Sequence, residues 1–317
     1  MKELNPDQIY FVEEFYDDYR EGLITRRIFI KRLAYITGSM AATISVMSTL
    51  GCTAAELPAE TNPMPTSEPA AGLVPVPDAK SPFSVPEGDP AVEARDVSFD
   101  SQGDKITAYL ARPVADGVYA AILVCHENRG LNPHIRDVAR RFAKEGYVAL
   151  AIDLLAREGG TAAHNRDEVP GLLGDAGPER HTADFIAGFN YLQTLDFVDG
   201  ERIGMTGYCF GGGVTWQVAT ALPELKAAVP FYGRAPELEK VPNIRAAVLG
   251  VYAELDERIT ASKDPLDQAL TDAGVTHQMN VYPGVNHAFH NDTGGRYVEE
   301  QATQAWQDTL AWFKQYL

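Results

Sequence analysis

From residue 91 onward the chain alternates short apolar runs with longer segments whose apolar residues recur at three and four residues. That is the pattern of strands interleaved with amphipathic helices. Runs at 93–99 and 105–111 flank Gly103-Asp104 and predict an antiparallel pair. Continuous β-rich runs at 120–124, 148–152, 203–207, 227–231, 246–251 and 278–282 predict strands buried on both faces, as parallel strands are. Helical spacing falls between and after them, at 134–146, 179–195, 212–222, 261–273 and 297–316. The expected architecture is a mostly parallel, twisted sheet of about eight strands with helices on both faces.

The amino-terminal third reads differently. Thr25-Arg26-Arg27-Ile28-Phe29-Ile30-Lys31 precedes the uncharged, small-residue-rich stretch 33–50, and together they resemble a twin-arginine export signal. Leu50-Gly51-Cys52 resembles the end of a lipobox, with Thr49 where an aliphatic residue is usual. Residues 53–90 are rich in Pro, Ala, Glu and Ser without hydrophobic periodicity and read as a linker. The expected organisation is therefore an export segment at 1–52, a linker at 53–90 and a catalytic domain at 91–317. The expected location is extracytoplasmic, reached through the twin-arginine export machinery and with membrane anchoring open. Residues 1–22 have no account at this level.

Composition narrows the function classes. A chain of 317 residues with 45% hydrophobic content can bury one full core. Its net charge of −17 repels nucleic acid and anionic lipid. Three cysteines, Cys52, Cys125 and Cys209, are too few for a disulfide framework or a four-cysteine zinc site. His126-Glu127 is followed by Gly130 where a zinc-binding His-Glu-x-x-His motif needs its second imidazole. No Gly-x-Gly-x-x-Gly follows the first buried strand, so neither a metal nor a dinucleotide cofactor is expected.

The sharpest chemical signal is Gly207-Tyr-Cys209-Phe-Gly211, a Gly-x-Cys-x-Gly turn between a strand and a helix. This is the nucleophile elbow of an α/β-hydrolase. It lifts the thiol to the top of the sheet, at a helix amino terminus that favours a thiolate and an incoming oxyanion. In this architecture the acid and the histidine follow from loops at later strand ends. Asp256 follows one buried run and His287 follows the last one, with Glu254 and His290 as their rivals. The polar run Cys125-His126-Glu127-Asn128-Arg129-Gly130 stands where the oxyanion loop belongs. The backbone N–H groups of Asn128 and Phe210 are the expected oxyanion donors. Glu127 is placed to take the thiol proton.

Over 91–317 the residues resemble the dienelactone hydrolase, or carboxymethylenebutenolidase, family. The resemblance rests on His126-Glu127-x-x-Gly130, Asp153-Leu-Leu-Ala-Arg157, Gly207-Tyr-Cys209-Phe-Gly-Gly, Asp256, and His287-Ala-Phe-His-Asn-Asp292 with Arg296-Tyr297. It implies a Cys209–His287–Asp256 triad, an activating role for Glu127, and Arg157 as one of two arginines that hold a substrate carboxylate. Asn291 stands where the second arginine is expected, which points away from dienelactone itself and toward another small ester or lactone. A thioesterase or peptidase on the same fold, and a non-catalytic exported binding protein, are the alternative readings.

Overall fold

The computed structural model describes residues 4–38, 42–43, 46–47 and 73–317. Among them eight strands form one sheet in the order β1-β2-β4-β3-β5-β6-β7-β8. They are β1 Val92–Ser101, β2 Asp104–Pro113, β3 Tyr119–Cys125, β4 Val148–Ile152, β5 Val198–Tyr208, β6 Ala227–Phe231, β7 Ala247–Ala253 and β8 His277–Tyr282. β1 and β2 form the expected antiparallel hairpin, and β2 also runs antiparallel to β4. The neighbouring pairs from β4 to β8 are parallel. Every residue of β4, β6 and β7 is buried, as strands covered on both faces must be.

Helices cover both faces. The catalytic region carries α3 Pro133–Lys144, α4 Val169–Ala176, α5 Pro178–Gln193, α6 Phe210–Ala221, α7 Glu257–Thr260, α8 Lys263–Asp272 and α9 Glu299–Tyr316. A Cβ on Gly204 of β5 would meet Phe313 of α9, whereas Gly188 of α5 sits against Leu123, the β3 partner of the next residue, Met205. Successive strand residues point to opposite faces, so α9 and α5 lie on opposite sides. Because β4 and β5 flank β3 on either side, the sheet reverses direction at β3. Ligands of open α/β sheets bind at such a reversal, beyond the carboxyl ends of the strands.

The first forty residues add an element that the sequence reading left without a role. α1 Pro6–Arg20 opens on a capping box, in which Asn5 accepts from the N–H of Gln8 and Gln8 accepts from the N–H of Asn5. α2 Arg26–Thr37 is capped by Thr25 and ends at Gly38 in the left-handed conformation. Phe11, Phe15, Phe29, Leu33 and Ile36 are buried and join the main core. Each such side chain contributes on the order of 1.5–3 kcal/mol on burial. α4 receives the hairpin closely: a Cβ on Gly171 would lie 2.9 Å from the Tyr35 carbonyl oxygen, and one on Gly174 would lie 2.9 Å from Gln8 Cγ. Arg32 and Lys31 pair with Asp167, and Tyr35 donates to Glu168. Among the described residues no helix is long and apolar enough to cross a membrane. Cys52 and the rest of the lipobox lie outside the described residues.

Residues 73–90, the end of the expected linker, also pack on the domain. Val76 and Val85 are buried, Val74 pairs with Glu87, and the Val85 N–H donates to Asp137 at 2.6 Å. Val76, Phe83 and Val85 serve here as anchors within a proline-rich strap.

The loop after β8 is pinned by Asp292, whose side chain is fully buried. It lies 2.9 Å from Arg141 and 2.9 Å from His134, both in α3, and accepts from the Ser81 N–H. Burial alone would raise its pKa, but His134, Arg141 and Ser81 outweigh that and hold it far below the usual carboxylate range. A depressed folded-state pKa contributes stability that is complete above the unfolded value, about 3.9, and is lost as pH falls below it. Asp292→Ala leaves Arg141 paired with Asp137 but removes the partner of His134 and of the Ser81 N–H, and is expected to cost about 1–3 kcal/mol in denaturant melts at pH 7. The difference from wild type should shrink below pH 4, and an unchanged difference there would contradict this assignment.

Candidate active site

β5 breaks at Cys209, which adopts φ 61° and ψ −122° and caps α6. This is a sparsely populated region for a residue with a side chain, and it is held by tight packing around the turn. A Cβ on Gly207 would stand 2.2 Å from the Gly211 carbonyl oxygen, and one on Gly211 would stand 2.5 Å from that of His126. Backbone therefore meets backbone on both sides of the cysteine, and only glycine fits. Phe210 opens α6, so its N–H is among the first-turn donors that have no partner within the helix.

His287 and Asp256 come together as the spacing predicts. His287 Nδ1 lies 2.6 Å from Asp256 Oδ2, and both side chains are buried. Glu254 instead accepts from the Gly284 N–H at a solvent-facing turn. His290 stacks on Tyr208 at 5.0 Å, near α3, where burial and Arg141 hold its pKa well below the ordinary value. His287 Nε2 is buried and has no hydrogen-bond partner among the described residues. Burial by itself would lower the His287 pKa, but Asp256 and Cys209 outweigh it and set it well above the ordinary histidine value. For Asp256 burial pushes upward, and His287 outweighs it to give a lowered pKa.

The carboxylate that touches the thiol is Glu14 of α1. Its Oε1 lies 3.5 Å from Cys209 Sγ and accepts from Asn128 Nδ2, while Tyr10 Oη lies 3.4 Å from the same sulfur. Burial is the main cause that raises the Cys209 pKa, Glu14 adds to it, and His287 opposes it. Burial also raises Glu14 itself. Atoms of Glu14, Cys209 and His287 lie within 4.8 Å of one another, a carboxylate, thiol and imidazole set of a kind that binds zinc-like ions.

The other expected residues take different partners. Glu127 is buried near the site, but its Oε2 accepts from Asn291 Nδ2 at 2.5 Å, and it makes no hydrogen bond to the thiol. Asn291 thus serves the oxyanion loop in the place where a second arginine was expected. Arg157 is occupied by Asp104 at 2.8 Å, Asp184 at 2.6 Å and the Ser101 carbonyl. Asp184 is fully buried, so Arg157 neutralises an interior carboxylate and does not join the cluster around Cys209. Sequence reading did not find Tyr10 and Glu14; the Asn5-Pro6-x-Gln8 start signal and the Phe11/Phe15 spacing mark their helix, but nothing local marks its partner.

The family model for the dienelactone hydrolase family matches residues 106–317. A Salmonella typhi protein named "Putative carboxymethylenebutenolidase" is 35% identical over 268 residues, 80% of this chain and 98% of its own. An Escherichia coli K12 protein of the same name is 35% identical over 72% of this chain and 89% of its own. Among solved structures, a Klebsiella pneumoniae protein named "Putative Dienelactone Hydrolase" is 35% identical, with a TM-score of 0.67, over 71% of this chain and 100% of its own.

Two glycines of the elbow separate packing from propensity. Gly211→Ala drives a methyl group into the His126 carbonyl and is expected to cost at least about 1–3 kcal/mol. A Cβ on Gly213, one turn along α6, has its nearest neighbour at 3.6 Å. Gly213→Ala should be neutral or stabilise by up to about 1 kcal/mol. Thermal melts of the two variants check the contrast, and equal losses would contradict the packing account.

Proposed function

The chain belongs to the dienelactone hydrolase family, and on that premise we propose that it hydrolyses a small carboxylic ester or lactone through Cys209, His287 and Asp256 with an acyl-thioester intermediate. The observation that carries this reading is the order and geometry at the elbow. A strained cysteine at a helix amino terminus faces a histidine whose far nitrogen is bonded to a buried carboxylate.

The chemistry follows from those positions. His287 Nε2 takes the thiol proton as Sγ attacks the carbonyl carbon. Asp256 holds the ring with Nδ1–H toward itself and stabilises the imidazolium. The carbonyl oxygen gains negative charge within reach of the backbone N–H groups of Phe210 and Asn128. The carbon–oxygen single bond then breaks, and the leaving alkoxide receives the proton from His287. In a lactone it remains tethered as a new hydroxyl. Water, deprotonated by the same histidine, cleaves the thioester to free acid and restores the thiol. Glu127, bonded to Asn291, supports the loop that carries Asn128. Arg157 lacks a free face for the substrate carboxylate, which agrees with a substrate other than dienelactone.

Export is part of the proposal. The Arg26-Arg27 pair followed by the uncharged 33–50 stretch supports passage through the twin-arginine machinery. Exchanging both arginines for lysine should retain the protein in the cytoplasmic fraction, and unchanged export would refute that signal.

The catalytic assignment is tested with p-nitrophenyl esters, unsaturated lactones and acyl thioesters as a substrate panel. Cys209→Ala and His287→Ala should each lower kcat/KM by about 10³-fold or more. Asp256→Asn, which holds the wrong tautomer, should lose on the order of 10⁴-fold. Turnover that survives Cys209→Ala would sink the mechanism, and preference for thioesters over oxygen esters would move the substrate class.

A further inference from the structure

Between α1 and the catalytic domain lies a cavity of about 680 Å³, with Glu14, Asp17, Asp256, Arg258, His287 and Arg296 on its wall. It reaches the histidine but not the nucleophile. Cys209 does not line it and is 3% exposed. Tyr10 and Glu14 occupy the intervening space, at 3.4 and 3.5 Å from the sulfur. A substrate carbonyl must come within about 3–3.5 Å of the sulfur to react. Substrate and α1 therefore compete for the same contact.

The way α1 holds this place has its own chemistry. Glu14 presents a carboxylate to the nucleophile and to the Asn128 side chain, as the acid released by ester hydrolysis would. Acids along the same helix meet arginines of the domain. Asp17 binds Arg258 at 3.0 Å, while Asp18 and Glu21 bind Arg296 at 3.0 and 2.7 Å. Arg258 also lies over the Tyr10 ring at 4.9 Å, and Arg129 over the Phe15 ring at 5.4 Å. Arg129 is flanked by Glu14 and Asp18, and burial pushes its pKa down to about 10. Two arginines of the domain, Arg258 and Arg296, thus line an opening that an acidic helix neutralises, and Arg129 lies under the same helix. α1 lies outside the family-matched residues 106–317, and so it is an addition to the part that carries the family's chemistry.

We propose that α1 is an internal stand-in for an anionic substrate: docked, it shuts Cys209 with Tyr10 and Glu14, and displaced, it frees Arg258 and Arg296 to select esters that carry a second carboxylate. The substrate half rests on the hydrolase reading above, whereas the closure stands on the geometry around the thiol. Arg157 cannot supply the anion contact because Asp104 and Asp184 hold it. Arg258 and Arg296 are the domain's cations in the wall of the cavity beside His287.

The test uses the full chain. Iodoacetamide labelling of Cys209, followed on its peptide by mass spectrometry, reports access to the thiol without requiring turnover. Tyr10→Ala/Glu14→Ala is expected to speed labelling by at least about tenfold, which corresponds to about 1.4 kcal/mol of lost closure. The same variant should turn over p-nitrophenyl esters faster than wild type and should prefer the adipic acid monoester to the neutral hexanoic ester of equal length. Arg258→Gln in that background should lower kcat/KM for the adipate by about tenfold, as loss of one charge-assisted hydrogen bond does, and leave the hexanoate within about twofold.

Unchanged labelling overturns the closure. Slower turnover in Tyr10→Ala/Glu14→Ala also overturns it, by making Glu14 part of the catalytic apparatus. Equal rates on adipate and hexanoate overturn the anion-selective rim. Faster labelling with no hydrolysis of any ester upholds the closure and defeats the hydrolase reading instead. Asp17→Arg/Asp18→Arg leaves the apolar face of α1 intact and repels Arg258 and Arg296. It carries the same labelling test if the first variant does not fold.

Discussion

The close approach of backbone to backbone where β5 turns into α6 is the constraint on which the rest of the structure depends. Gly207 and Gly211 have no room for a side chain, and the cysteine between them takes a left-handed conformation that an ordinary turn would avoid. That strain persists only because β3, β6 and α6 press on the turn from several sides. A single carbon atom at Gly211 would displace the 125–130 loop, which carries Asn128 and Glu127. The same few ångströms therefore fix Cys209 and the loop that carries the expected oxyanion donor Asn128.

The elements that come from local pattern were legible. Buried apolar runs located the parallel strands, and the Gly-x-Cys-x-Gly turn located Cys209. Asp256 and His287 follow because strand ends in this architecture converge on one edge. What could not be read depends on contacts between distant segments. Glu14 lies 195 residues from Cys209, and no spacing rule links them. Arg157 has the residue type and neighbours of a carboxylate clamp, yet Asp184, itself buried on another element, claims it. A sequence displays the charge of such a residue but not the competitor that neutralises it. The reading of 53–90 as a linker met the same difficulty over its described part, 73–90, since two buried valines suffice to anchor a strap of low periodicity.

The role of α1 and the strong net charge bear on each other. A chain at −17 gains little from further acids on its surface, and self-repulsion makes each one mildly unfavourable. Glu14, Asp17, Asp18 and Glu21 are nonetheless clustered on one helix, where like charges at this spacing destabilise it in isolation. The cluster is favourable only against the cations that face it. Those cations would in turn leave an uncompensated positive rim if the helix left, within a protein that is otherwise acidic. The docked helix and the rim each resolve a charge problem that the other creates, which is the relation expected between a site and its ligand.

The proposed export signal and the proposed closure share one structural unit. Arg26 and Arg27 stand at the start of α2, which packs on α1 through Phe29, stacked on Tyr19 at 5.2 Å. Whatever draws the twin arginines into a receptor must pull on the hairpin whose other arm covers Cys209. On the proposed export reading, the segment offered to the machinery and the segment proposed to cover Cys209 belong to one packed hairpin, joined by the same buried aromatics. A protein that folds before export would keep its thiol shut while the hairpin is docked, protected from alkylation and oxidation and unable to act on esters in the compartment where it is made.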